Sequence, residues 1–131
     1  MKTVMVVDAD AGSAPMEETL RRRGIAGIAT QTARDALTII RNNPGFIDLV
    51  VTEMQIPDMD GLSFLAALRA TAPELPIIVV TSSGSVENYL DAVRIGVYEY
   101  LNKPVLPREL LRIASIAMGG PHPAPPFPEA S

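Results

Sequence analysis

Five short apolar runs, each followed by a segment of helical period, constrain the fold of this chain more than any other feature. The runs cover residues 4–7, 25–29, 49–52, 77–80 and 98–101. They are too short for helices and mostly continuous rather than alternating, the pattern of parallel strands buried on both faces. Between them, residues 16–23 carry Arg21, Arg22 and Arg23 in a last helical turn, with Gly24 at the stop. Residues 32–41 place Ala33, Ala36, Leu37 and Ile40 at helical spacing and end before Pro44-Gly45. Ser63 is positioned to cap a helix over 64–70, and Ser85 one over 86–95 that stops at Gly96. Pro107 opens a last helix over 108–117. Five strands and five helices in strict alternation, with right-handed crossovers, predict a doubly wound α/β domain on a parallel sheet. A two-layer α+β fold would need hairpin turns, yet the one Asp-Gly pair, Asp60-Gly61, separates a strand from a helix.

The length of 131 residues fits one such domain and excludes a second. Five of the twelve prolines fall between Pro121 and Pro128, so residues 1–118 are expected to form the body and 119–131 a disordered or polyproline-type tail or linker. Fifteen acids against eleven bases give a formal charge of -4, which disfavours nucleic acid or an anionic membrane as a direct partner. The absence of cysteine excludes disulfides and thiol chemistry, and a single histidine, His122, excludes a multi-histidine metal centre. No signal-peptide core or bilayer-length apolar stretch is present, so a soluble, cytoplasmic domain is expected.

In open α/β sheets the working groups lie beyond the carboxyl ends of the strands. Here those positions hold Asp8-Ala9-Asp10, then Glu53, then Thr81-Ser82-Ser83, then Asn102-Lys103-Pro104. Three carboxylates, several hydroxyls and one lysine at a single edge suit a hard cation or a phosphoryl group. Each also has a structural reading: an Asp capping the next helix, a Thr kept for strand propensity, a Lys in a solvated loop. Their coincidence at one edge is what favours function.

The strings VMVVDAD, IDLVVTEMQIPDMDGLSFL and LPIIVVTSSGSVENYLDAVRIGVYEYLNKPV resemble the receiver domain of bacterial two-component response regulators, and the resemblance spans the whole body. It implies a flavodoxin-like five-stranded sheet in order 2-1-3-4-5. It also implies an acidic pair holding Mg²⁺, an Asp accepting the phosphoryl group, a Thr or Ser reporting it, and a Lys contacting it. Asp8, Thr81, Tyr100 and Lys103 match that pattern, as do Pro57 and Asp60-Gly61. Two positions depart from it: Ala9 replaces the second acid of the pair, and Glu53 replaces the phosphoacceptor.

Both departures have a physical direction. Glutamate carries its carboxylate one methylene further, and a displacement of about 1 Å can cost ~100-fold in an in-line reaction. Ala9 removes an anionic oxygen from a would-be octahedral site. Mg²⁺ binding, for which Asp8, Glu53 and Gln55 are the candidate donors, is therefore expected to be weak or absent, and no other cofactor is expected; Asp10 is the one acid placed to substitute. The longer Glu53 is expected instead to reach Lys103 and Thr81, partly mimicking the phosphorylated state. Asp48, Asp58 and Asp60 read as strand-start, solvated or turn residues.

Output is then expected through surface contact rather than catalysis. By the resemblance, the face of the fourth helix, fifth strand and fifth helix carries it, with Tyr89, Arg94, Tyr98, Tyr100, Arg108 and Arg112. Its partner would be a histidine kinase, a phosphotransfer protein, an output domain or a second copy of the chain. A conventional Mg²⁺-dependent phosphoreceiver is the alternative. A haloacid-dehalogenase-type phosphatase, with Asp8 as nucleophile and Asp10 as general acid, is a distant one, because only Glu109 and Glu129 follow Lys103 and neither forms the acidic metal pair that chemistry needs.

Overall fold

The computed structural model describes residues 1–9, 14–82 and 85–119. Asp10, Ser83 and the tail from residue 120, all singled out in the sequence, lie outside the described residues. The elements run β1 (Thr3–Val7), α1 (Ala14–Arg22), β2 (Ala26–Thr30), α2 (Ala33–Asn42), β3 (Leu49–Thr52), α3 (Gly61–Thr71), β4 (Ile77–Thr81), α4 (Val86–Ile95), β5 (Glu99–Asn102) and α5 (Pro107–Gly119). All strand pairs are parallel, and the sheet order is β2-β1-β3-β4-β5, the flavodoxin-like order.

Continuous apolar strands let the sheet feed two cores at once. Alternate residues Met5, Val7, Val50, Ile77 and Val79 pack with Phe64 and Leu68 on the α2–α4 side. Val4, Val6, Val51, Ile78 and Val80 pack with Leu20, Leu110 and Leu111 on the α1–α5 side. Burial on both faces holds for β1, β3 and β4 but not for the edges: every other residue of β2 is exposed, and β5 is only half-buried. Edge strands have a neighbour on one side only, so their outer backbone and flanking side chains meet solvent.

Local chemistry sets the helix ends. Thr32 accepts from the Asp35 N–H, Ser85 accepts from the Asn88 N–H, and Gly96 closes α4 in the left-handed region at φ 100°. The third helix corrects the expected cap: Asp60, not Ser63, is the N-cap, accepting from the Ser63 N–H at 3.1 Å, so the helix starts at Gly61. A carboxylate accepts more strongly than a hydroxyl, and at the positive end of the helix dipole it prevails. Gly61 itself is required by close approach, since a Cβ there would lie 2.5 Å from the Met54 carbonyl oxygen.

Phe64 is fully buried at the centre of the larger cluster. Phe64→Ala is expected to destabilise the domain by about 3–5 kcal/mol, while Val93→Ala on the outside of α4 should change it by less than about 0.5 kcal/mol. Urea unfolding of both variants measures the difference.

Candidate functional site

The sheet hydrogen-bond ladder continues one residue past the strands and fixes the site's backbone. Asp8 N–H donates to Thr30, Glu53 N–H to Val7 and Lys103 N–H to Thr81, at 2.9–3.0 Å. Three residues from three strands are thereby delivered to one edge, and their side chains meet. The Lys103 ammonium lies 3.0 Å from Asp8 Oδ2 and 3.0 Å from Glu53 Oε1.

Glu53 is 5% exposed, and its carboxylate is surrounded by donors. Oε2 accepts from the Met54 N–H at 2.7 Å and from the Gln55 N–H at 3.3 Å, and the Thr81 hydroxyl also bonds to the carboxylate. Burial alone would raise its pKa, yet the bonds from Thr81, Lys103, Gln55 and Met54 together hold it below the ordinary 4.5. Burial pushes Lys103 down, but its bonds to Asp8 and Glu53 outweigh that and keep it above the ordinary 10.5. The cluster is thus one cation between two anions, with Glu53 satisfied from four directions.

This geometry bears on the expected metal site. Asp8 Oδ2 and Glu53 Oε1 face an ammonium, Glu53 Oε2 faces backbone N–H groups, and Ala9 offers no side-chain oxygen. Gln55 directs its N–H into the site. Among the described residues no group of three or more His, Cys, Asp or Glu side chains is disposed to hold a metal. Asp8, Glu53 and Lys103 also line a cavity of about 380 Å³, whose apolar wall includes Val6, Met16, Val51, Val80 and Leu110.

The loop after Glu53 is tied down by a residue whose role differs from expectation. Asp58 is not merely solvated: its carboxylate accepts from the Ala33 N–H at 2.9 Å and the Arg34 N–H at 3.0 Å, joining the loop to the start of α2. Those two bonds lower its pKa. Asp48 accepts from the Thr3 N–H at 2.8 Å, linking two strand starts.

The residues expected on the output face divide between interior and surface. Tyr100 turns inward, packs with the larger core and meets Tyr89 edge to face, ring centroids 5.6 Å apart. Its buried hydroxyl finds no hydrogen-bond partner among the described residues, and burial followed by the Glu53 charge raises its pKa. Arg94 and Arg112 pair with Asp91 and Glu109 on their own helices. Beside the exposed Glu87 and Arg94, the outside of α4 presents an apolar stripe: Val86, Leu90 and Val93 are 75%, 46% and 49% exposed. Their spacing of four and three was a visible sign in the sequence, masked because Ala92 and Ile95 face the core and Tyr89 meets Tyr100.

Residues 4–115 match the family model described as "Response regulator receiver domain". The chain belongs to the response regulator receiver family. Receiver domains are signalling modules of two-component systems, and the haloacid-dehalogenase-type alternative is set aside with that assignment. The response regulator protein FleR of Pseudomonas aeruginosa is 31% identical over 114 residues, covering 87% of this chain and 24% of that protein. The two-component response regulator ORR22 of Oryza sativa is 34% identical over 111 residues, 84% of this chain and 16% of that protein. The chain therefore spans a quarter or less of the length of these relatives. Among solved structures, a CheY-like receiver domain from Methanospirillum hungatei superposes with a TM-score of 0.85 at 28% identity, covering 90% of this chain and 94% of that one. The beryllofluoride-activated NtrC4 receiver domain dimer superposes at 0.80 with 32% identity, covering 90% and 97%.

The direction of the shifts fixes a pH dependence. Glu53, held below its ordinary value, stabilises the fold above about pH 4.5 and loses that contribution as the pH falls through its folded value. Lys103, held above its ordinary value, contributes fully below about pH 10.5 and loses that contribution only on further rise. Glu53→Gln is therefore expected to be less stable than wild type by about 1–3 kcal/mol near neutral pH, with the gap shrinking below about pH 4.5. Urea unfolding of both proteins across acid pH measures the gap; one unchanged down to about pH 3 would contradict the ionised cluster.

Proposed function

We propose that this receiver domain is atypical and signals through protein contacts without conventional aspartyl phosphorylation. The observation that carries the proposal is Lys103 held between Asp8 and Glu53. A nucleophilic carboxylate needs a free lone pair aimed at phosphorus, whereas Glu53 directs its oxygens at an ammonium, a hydroxyl and two N–H groups. For phosphoryl transfer, Lys103 would have to leave both acids and a metal would have to enter with Ala9 supplying nothing. Mg²⁺ binding is accordingly weak, and the chain is not an enzyme.

Glu53 stands in for the phosphoryl group at the positions that would report it. Thr81 bonds to it, and Tyr100 is drawn inward beneath α4. The surface thus biased is the α4–β5–α5 face. Its apolar stripe of Val86, Leu90 and Val93 suits a protein partner better than water. That partner is a kinase, phosphotransfer protein or output domain of a bacterial, cytoplasmic pathway, or a second copy of the chain. Dimer formation by the NtrC4 receiver supports the last. The acidic charge of -4 disfavours direct contact with nucleic acid, and no helix among the described residues is long and apolar enough to cross a membrane. Residues 1–118 act as the domain and 119–131 as a tail or linker.

Incubation with acetyl phosphate and Mg²⁺, followed by intact mass spectrometry, tests the proposal. No adduct is expected on the native chain, whereas the double variant A9D/E53D is expected to acquire one. A phosphoryl adduct at Glu53 would establish the conventional Mg²⁺-dependent phosphoreceiver instead.

A further inference from the structure

Arg69 lies in the last turn of α3, and its guanidinium is spent on backbone carbonyls. Nη1 donates to Pro73 and Leu75 at 2.8 Å each and to Ala72 at 3.5 Å, and Nη2 donates to Gly96 at 2.9 Å. None of the ion pairs between described residues includes it. The five-donor fork of a guanidinium ordinarily answers a carboxylate or phosphate. Here it sits where two helices end together, for Ala72 is the C-cap of α3 and Gly96 the C-cap of α4. Both ends are negative poles of a helix dipole, so one cation satisfies orphan carbonyls and dipole charge for two helices.

The rest of α4 is thinly held. Ala92 is its one fully buried residue, and Val86, Leu90 and Val93 face outward. Its N-terminal end follows β4, which carries Thr81. A helix with few buried contacts and one firmly bonded end turns about that end.

We infer that Arg69 is a positioning residue, the pin that fixes the C-terminal end of α4 to the C-terminal end of α3 and so sets where the apolar face of α4 stands. The inference goes beyond the proposed function and holds however the pocket at Glu53 acquires its charge.

Amide hydrogen exchange of the full chain, read by mass spectrometry for wild type, R69Q and R69K, tests it. The Gly96 and Val97 N–H groups bond to Ala92 and Val93, so their exchange reports the pinned end directly. R69Q is expected to speed exchange over residues 93–97 by about tenfold or more while β1 and β3 change by less than about twofold. R69K, which keeps the charge but not the fork, is expected to fall between. An equal rise across β1 and β3 would reduce Arg69 to a general stabiliser, and no rise at 93–97 would remove the pin; either overturns the inference. Should R69Q fail to fold, R69K carries the same comparison with the same two contrary results.

Discussion

One ammonium between two carboxylates organises the working edge of this receiver. Lys103 comes from the end of β5, Asp8 from the end of β1 and Glu53 from the end of β3, so their contact ties together three of the five strands. A buried carboxylate without partners would take up a proton or open the structure to water. Four donors instead keep Glu53 charged, and that fixed charge is what every neighbour answers. The Met54 and Gln55 N–H groups point back at it, Gly61 lets α3 begin against the Met54 carbonyl, and Asp58 anchors the same loop to α2. The stiffness of the site follows from that charge and from a backbone ladder extended by one residue per strand.

From this edge the structure runs outward in a short chain of contacts. Thr81 bonds to Glu53, Tyr100 lies beneath α4 with its hydroxyl buried, and Tyr89 meets it edge to face. Burial of an unsatisfied hydroxyl costs free energy, about 1–3 kcal/mol, so packing against the core and Tyr89 must offset it. The helix above has one fully buried residue, Ala92, and three exposed apolar ones, Val86, Leu90 and Val93. A loosely held helix with a sticky outer surface is suited to read a state of the pocket and pass it to another protein.

Much of this was legible in the sequence, for definite reasons. Continuous β-branched runs such as Ile77–Thr81 signal buried parallel strands, and topology then fixes Asp8, Glu53, Thr81 and Lys103 at one edge without any tertiary knowledge. Less legible were choices between equal local candidates. Asp60 and Ser63 are both good caps three residues apart, and only the folded chain shows which side chain accepts from which N–H. Asp58 bonds to residues 24 and 25 positions away, a distance over which sequence pattern carries no signal. The stripe on α4 was ambiguous because its apolar residues exceed one helical face, so inward and outward sets look alike until the packing partner is known. Arg69 looks like any arginine in a last helical turn, and its second helix end appears only in three dimensions.

The most direct test of the coupling between Glu53 and the surface is the contact between the Tyr89 and Tyr100 rings, observed by nuclear Overhauser effects in the native chain and in Glu53→Ala, with no phosphodonor present. The rings, 5.6 Å apart between centroids, are expected to show strong cross-peaks in the native chain and weakened ones in the variant. Cross-peaks absent from the native chain, or equally strong in both proteins, would contradict a surface held by the charge of Glu53.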